Sequence, residues 1–173
     1  MLSNKLSRTS SLIYQLRDHL PIHVLKKIYY AHVYPHLNYC NCIWSNTYQT
    51  HLLPLTLIHK RIIRNIAKAN FLDHTEPLYS GLKILNIDRI RKLNLSLLMF
   101  KQIKYNEFQF PILTQEHNYN TRNRDLLLIP QHRTTLLSNS FTIQAIKVWN
   151  KLPQSLKLID NIRSFKKKVV NFI

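Results

Sequence analysis

A single glycine, Gly81, occurs in 173 residues. Phosphate-cradling loops and dinucleotide-binding turns need several glycines at set spacing, so both are excluded. Tight hairpin turns also commonly use Gly, so a sheet of short hairpin-linked strands is not expected. Apolar residues make up 45% of the chain, enough to build a core. The length suits one ordinary domain or two small ones. The expected fold class is mostly α.

The apolar spacing agrees. Leu6, Leu12, Ile13, Leu16 and Leu20 form a stripe on a first helix over residues 2–20, with Ser3 as its cap. Pro21 ends that helix and suits the first turn of the next. From Pro21 to Trp44 runs the longest apolar and aromatic stretch. Leu25, Ile28, Tyr29, His32 and Val33 fall at helical spacing until Pro35 interrupts them. Two helical pieces kinked at Tyr34–Pro35 are expected there, buried on most sides and forming the hub of the fold. Tyr29, Tyr30, Tyr34, Tyr39 and Trp44 offer rings on which single-stranded bases could stack, but at helical spacing beside Leu and Ile they are expected in the core.

Thr50 can cap a third helix to about Asn70, with Leu53, Leu57, Ile58, Ile62, Ile63 and Ile66 inward. A short helix follows, capped by Thr75 and stopped by Gly81 in a left-handed conformation. Asp88 opens another helix that runs to about Tyr105. These elements make residues 1–105 a helical bundle. Beyond, residues 106–173 read as a looser extension of loop and short strands, then helices at about 140–152 and 161–172. Leu126–Pro130 has room for one short hairpin or edge strand.

Charge is the strongest functional signal. Lys and Arg number 25 against 8 Asp and Glu, a formal net charge of +17. Such an excess calls for a polyanion, usually nucleic acid, or for an acidic partner elsewhere in a longer chain. Lys60, Arg61, Arg64 and Lys68 share the polar side of the third helix, with no acid between His51 and Phe71. That face is the best local candidate for contact with a phosphate backbone, DNA, RNA or hybrid. Arg122, Arg124, Lys166, Lys167 and Lys168 form a second basic patch. Tyr119 adds a stacking candidate in a loop.

Catalytic signals are missing. Asp73 and Glu76 are the only acids close in sequence, and they bracket the Thr75 cap, where carboxylates have an electrostatic reason to sit. Cys40 and Cys42 form a C-x-C, which matches no zinc-finger spacing, and they read as small buried hydrophobes. No catalytic residue, metal or cofactor is expected. No signal peptide is visible at Met1–Ser10 and no apolar window suits a membrane span. The expected setting is therefore intracellular, cytoplasm or nucleus.

The order of several short boxes resembles a family. Leu12–Ile13–Tyr14–Gln15–Leu16–Arg17, Leu20–Pro21, Tyr34–Pro35–His36–Leu37–Asn38–Tyr39–Cys40 and Ile43–Trp44 look like the region just after the palm of LINE-type (non-LTR) retrotransposon reverse transcriptases of the jockey-like group. Leu55–Thr56–Leu57–Ile58–His59–Lys60–Arg61–Ile62–Ile63–Arg64 is similar to a basic helix of that family. The likeness continues through His74–Thr75–Glu76–Pro77–Leu78, Tyr119–Asn120–Thr121–Arg122, Val148–Trp149–Asn150–Lys151–Leu152–Pro153 and Ser164–Phe165–Lys166–Lys167–Lys168. The family's Gly-Pro before Trp-Asn is replaced here by Ala145–Ile146–Lys147–Val148. The resemblance implies a polymerase thumb and post-thumb segment that touches the template–primer duplex without performing the chemistry. The family's Asp-Asp box has no counterpart in this chain. An alternative is a structural remnant that only packs against a palm domain missing from the chain.

Overall fold

The structure, a computed structural model, describes residues 2–107 and 126–173. The described residues are built of helices, and the chain has the mostly α fold expected from its glycine scarcity. In order they are α1 (Leu2–Leu16), α2 (Ile22–His32), α3 (Tyr34–Asn38), α4 (Asn41–Trp44), α5 (Gln49–Ala67) and α6 (Thr75–Leu82). There follow α7 (Ile87–Tyr105), α8 (Thr135–Ser138), α9 (Phe141–Asn150), α10 (Gln154–Lys157) and α11 (Ile162–Phe172). Among the described residues no helix is long and apolar enough to cross a membrane.

The chain divides into two compact units. One comprises Met1–Asn41 and Thr47–Ile90, the other Cys42–Asn46 and Arg91–Ile173. The boundary expected near residue 105 falls inside the second unit.

In the first unit α5 is the element on which α1, α2 and α6 pack. It buries Leu55, His59, Ile62, Ile63 and Ile66, spaced three, four and seven apart, which gives one inward stripe. Leu6, Ser10 and Ile13 of α1 and Leu25 and Tyr29 of α2 are buried in the same way. The expected hub is thus only half buried. Leu25, Tyr29, Val33 and Leu37 lie inside at every fourth position, whereas Ile22, Tyr30 and Tyr39 are exposed. A helix packed along one stripe leaves its other faces to solvent. Leu53 and Leu57, expected inward, are each 56% exposed.

The break in the hub lies at Val33, between α2 and α3, with Pro35 in the first turn of α3. There its missing N–H forfeits no helical bond. Gly81 does not stop α6; it lies inside the helix, and Lys83 takes the left-handed turn at φ 54°. The cause is apolar spacing. Ile84, 2% exposed, donates its N–H to Tyr79, and Lys83 donates to Ser80, so burial of Ile84 sets the stop. Lys68 closes α5 in the same conformation, at φ 56°. Thr50 caps nothing; Tyr48 precedes α5 without a side-chain bond.

In the second unit, Phe165 of α11 stacks on Phe100 of α7 at 4.4 Å and lies 5.9 Å from Trp149 of α9. Ile143, Ile146, Leu152 and Val169 are among the other apolar residues buried in this unit. Asn161 caps α11, its Oδ1 accepting from the backbone N–H of Arg163 at 2.8 Å. The helices expected at about 140–152 and 161–172 are α9 and α11. No strand forms over Leu126–Pro130; Leu127 makes only an isolated bridge. The Asn150 side chain stands in for a neighbouring strand: its Oδ1 accepts from Leu127 N–H at 3.0 Å and its Nδ2 donates to the Leu127 carbonyl at 2.9 Å.

Candidate nucleic-acid interface

The inward stripe of α5 fixes which side chains its opposite face presents. Arg61 is exposed and Arg64 half-buried, at the edge where α1 packs against α5. A groove of about 320 Å³ opens there. From the α1 side come Ser10, Ser11, Tyr14, Gln15 and, just past the helix end, Arg17. From α5 come Arg61, Arg64 and Asn65, with Phe71 beyond. Three guanidinium groups therefore meet in one concavity whose described lining residues include no Asp or Glu.

Neighbours hold two of these arginines. The Arg17 guanidinium lies over the Tyr14 ring at 4.9 Å. Its Nε is 3.4 Å from the Asp18 carboxylate but makes no hydrogen bond there. Arg64 donates its Nε–H to the Asp73 carbonyl at 2.9 Å and lies 5.9 Å from the Phe71 ring centroid. The Arg64 bond engages one of the five N–H donors of a planar guanidinium, while the Arg17 contact is made by the face of its guanidinium. The two helices are tied at this point by Asn65, whose Nδ2 donates to the Ser10 carbonyl at 3.3 Å.

The residues singled out from sequence separate here. Arg61 and Arg64 line the groove; Lys60 and Lys68 do not. Lys68 has left the helix face because it forms the left-handed stop. Lys166, Lys167 and Lys168 are all exposed on α11, opposite buried Phe165 and Val169. Arg122, Arg124 and Tyr119 lie outside the described residues. Arg17 is the contributor that sequence reading passed over. Its helix alone assigns it to a solvent side, and only the packing of α1 on α5 brings it beside Arg61 and Arg64.

Behind the groove lies a buried polar centre that the sequence did not announce. His59 is fully buried; its Nε2 is 2.9 Å from the Tyr29 hydroxyl and its Nδ1 is 3.0 Å from the Tyr79 hydroxyl. A neutral imidazole has one donor and one acceptor nitrogen, so one phenol gives a hydrogen and the other receives one. Burial pushes the imidazole pKa down to about 3. Burial likewise raises both phenols, helped at Tyr29 by its tyrosine neighbours and at Tyr79 by Glu76. The signal available in sequence was a histidine in register with Leu55, Ile62 and Ile66 on the inward stripe of α5.

The acids have structural partners. The Asp73 carboxylate accepts the Asn70 N–H at 2.7 Å, and Glu76 accepts from Asn86 at 3.4 Å. Among the described residues no three His, Cys, Asp or Glu side chains gather as metal ligands. Cys40, expected to be buried, is exposed and takes φ 48°; Cys42 is half-buried, and neither forms a disulfide. The left-handed turn after α3 carries Cys40 away from that helix's buried stripe. No protein-family model, curated protein or solved structure matches this chain.

Proposed function

We propose that the chain binds the phosphate backbone of nucleic acid without sequence preference, as the thumb-like part of a non-LTR retrotransposon reverse transcriptase would, and supplies no catalytic group of its own. The observation that carries this reading is the convergence of Arg17, Arg61 and Arg64 in one groove whose described lining includes no acid, Asp18 reaching Arg17 from outside it. Like charges gathered on a surface repel and weaken the fold unless a counter-charge arrives. A polyanion supplies it, and arginine forks match phosphate oxygens two at a time. The net charge of +17 adds a long-range attraction.

The test is the salt dependence of binding to a short duplex, read by fluorescence anisotropy between about 50 and 200 mM salt. Affinity should fall steeply. Replacing Arg61 and Arg64 by Gln should flatten the log–log slope by about 0.9 for each phosphate no longer neutralised. An unchanged slope removes this groove from the interface.

A second reading is favoured by Leu53 and Leu57, which lie one turn apart on α5 and are both more than half exposed. In it α5 docks on a palm domain outside this chain, and the basic residues only keep the surface hydrated. Tight duplex binding by a soluble monomer would count against it. Binding only after a palm-containing segment is added would favour it.

A further inference from the structure

We infer that the groove between α1 and α5 is a site for one unstacked nucleotide, its phosphate held by Arg61 and Arg64 and its base lodged between Tyr14 and Phe71. The inference rests on the nucleic-acid reading above and narrows it from duplex backbone to a single-stranded or frayed nucleotide.

Shape is the first argument. Contact with a continuous duplex backbone needs only a flat or gently curved basic surface. The volume of about 320 Å³ instead falls at the lower end of small-ligand pockets, the size of one small ligand rather than a helix. The aromatic rims are the second. Tyr14 is 57% exposed and Phe71 71% exposed, so neither belongs to the core. Bases of any sequence stack on such rings, which is how proteins hold single strands without reading them. Guanidinium groups already sit against both rings, Arg17 at Tyr14 and Arg64 at Phe71. Phosphate-binding and base-stacking elements are thus adjacent on both walls.

Ser10 supplies the third and independent argument. The hydroxyls on either side of it are paired: Thr9 donates to the Lys5 carbonyl at 3.0 Å and Ser11 to the Ser7 carbonyl at 3.2 Å. The Ser10 hydroxyl is buried and has no partner, and Ser10 lines the groove. A buried hydroxyl left unpaired is a penalty that most folds avoid. A phosphate oxygen lodged in the groove is an acceptor that would relieve it once the Ser10 side chain turns toward the opening. The Gln15 side chain adds a neutral polar group that can serve any base edge.

The experiment is calorimetric titration of the full chain with adenosine 5′-monophosphate and, separately, with inorganic phosphate, beside the duplex titration described above. The nucleotide should bind about tenfold more tightly than inorganic phosphate, the stacking increment of one base. Ser10→Ala and Tyr14→Ala should each lower nucleotide affinity several-fold. Tyr14 is exposed, so its variant tests the site even where Ser10→Ala disturbs packing. Equal affinity for nucleotide and phosphate overturns the inference, as does unchanged nucleotide affinity in Tyr14→Ala. Absence of nucleotide binding alongside salt-dependent duplex binding overturns this inference and spares the broader reading. Absence of binding to all three overturns both.

Discussion

In the first unit His59 sits at the middle of the core with a phenol on each ring nitrogen. In the second, Phe165 sits equally deep, with Phe100 stacked on it and Trp149 beside it. Both centres arise from the same device, amphipathic helices with one inward stripe. They differ in how they choose a register. The rings of the second unit attract without strong direction, so volume and shape do the choosing. The imidazole of the first unit accepts only an arrangement that brings two hydroxyls to two nitrogens along the ring plane. A wrong register there strands polar groups in a dry interior. The polar centre trades some apolar burial for a single permitted geometry of α2, α5 and α6, and α5 is the helix that carries Arg61 and Arg64.

The contrast can be broken experimentally. Phe165→Ala opens a hole in the apolar centre and should cost roughly 3–5 kcal/mol in urea unfolding. Tryptophan fluorescence follows it well, since Trp44 and Trp149 both belong to the second unit. A cost under about 1 kcal/mol would mean that this core is not packed as described.

Acid separates the units next. The folded-state pKa of His59 is about 3, below its ordinary 6.5, so the unfolded chain binds the proton more readily between those values. Stability from this group is complete above about pH 6.5 and is lost as pH falls toward about 3. Urea midpoints should therefore drop between about pH 7 and about pH 4, and His59→Leu should flatten that drop. An unaltered profile in the variant would show that the imidazole is not held neutral by the core.

Smaller changes sharpen the comparison. Tyr79→Phe removes one oxygen and leaves His59 Nδ1 unpaired, which should cost about 1–3 kcal/mol. Ile146→Leu in the apolar centre shifts a whole methyl group yet should cost less than about 1.5 kcal/mol. If the order is reversed, direction matters less in the first core than volume does in the second. Gly81→Ala is the mildest. A methyl group at Gly81 meets nothing within 4 Å, and the residue is helical, so the variant should gain about 0.5–1 kcal/mol. A loss instead would indicate a constraint on α6 beyond helix propensity.

These particulars show where the sequence was readable. Helix existence followed from spacing, α9 and α11 among them. Local chemistry misled at Gly81, because the stop of α6 is set by the burial of Ile84, a tertiary event that overrides glycine's freedom. Leu53 and Leu57 looked inward because α5 carries apolar residues on more than one side, and periodicity alone does not say which side finds neighbours. At the candidate site, Arg61 and Arg64 were legible from charge on one helix. Arg17 and the unpaired Ser10 were not, because each acquires meaning only when distant parts of the chain pack together, as the Asn65–Ser10 bond shows.

The clasp of Asn150 on Leu127 has a consequence for how this chain behaves in company. Leu126 to Ile129 is an uncharged apolar run, and Leu128 and Ile129 are more than one third exposed. Such segments recruit identical segments from other molecules when their backbone groups stand vacant. At Leu127 both backbone groups are already taken by an amide of the same chain. One side chain thus occupies, at Leu127, the backbone groups that an incoming strand would use.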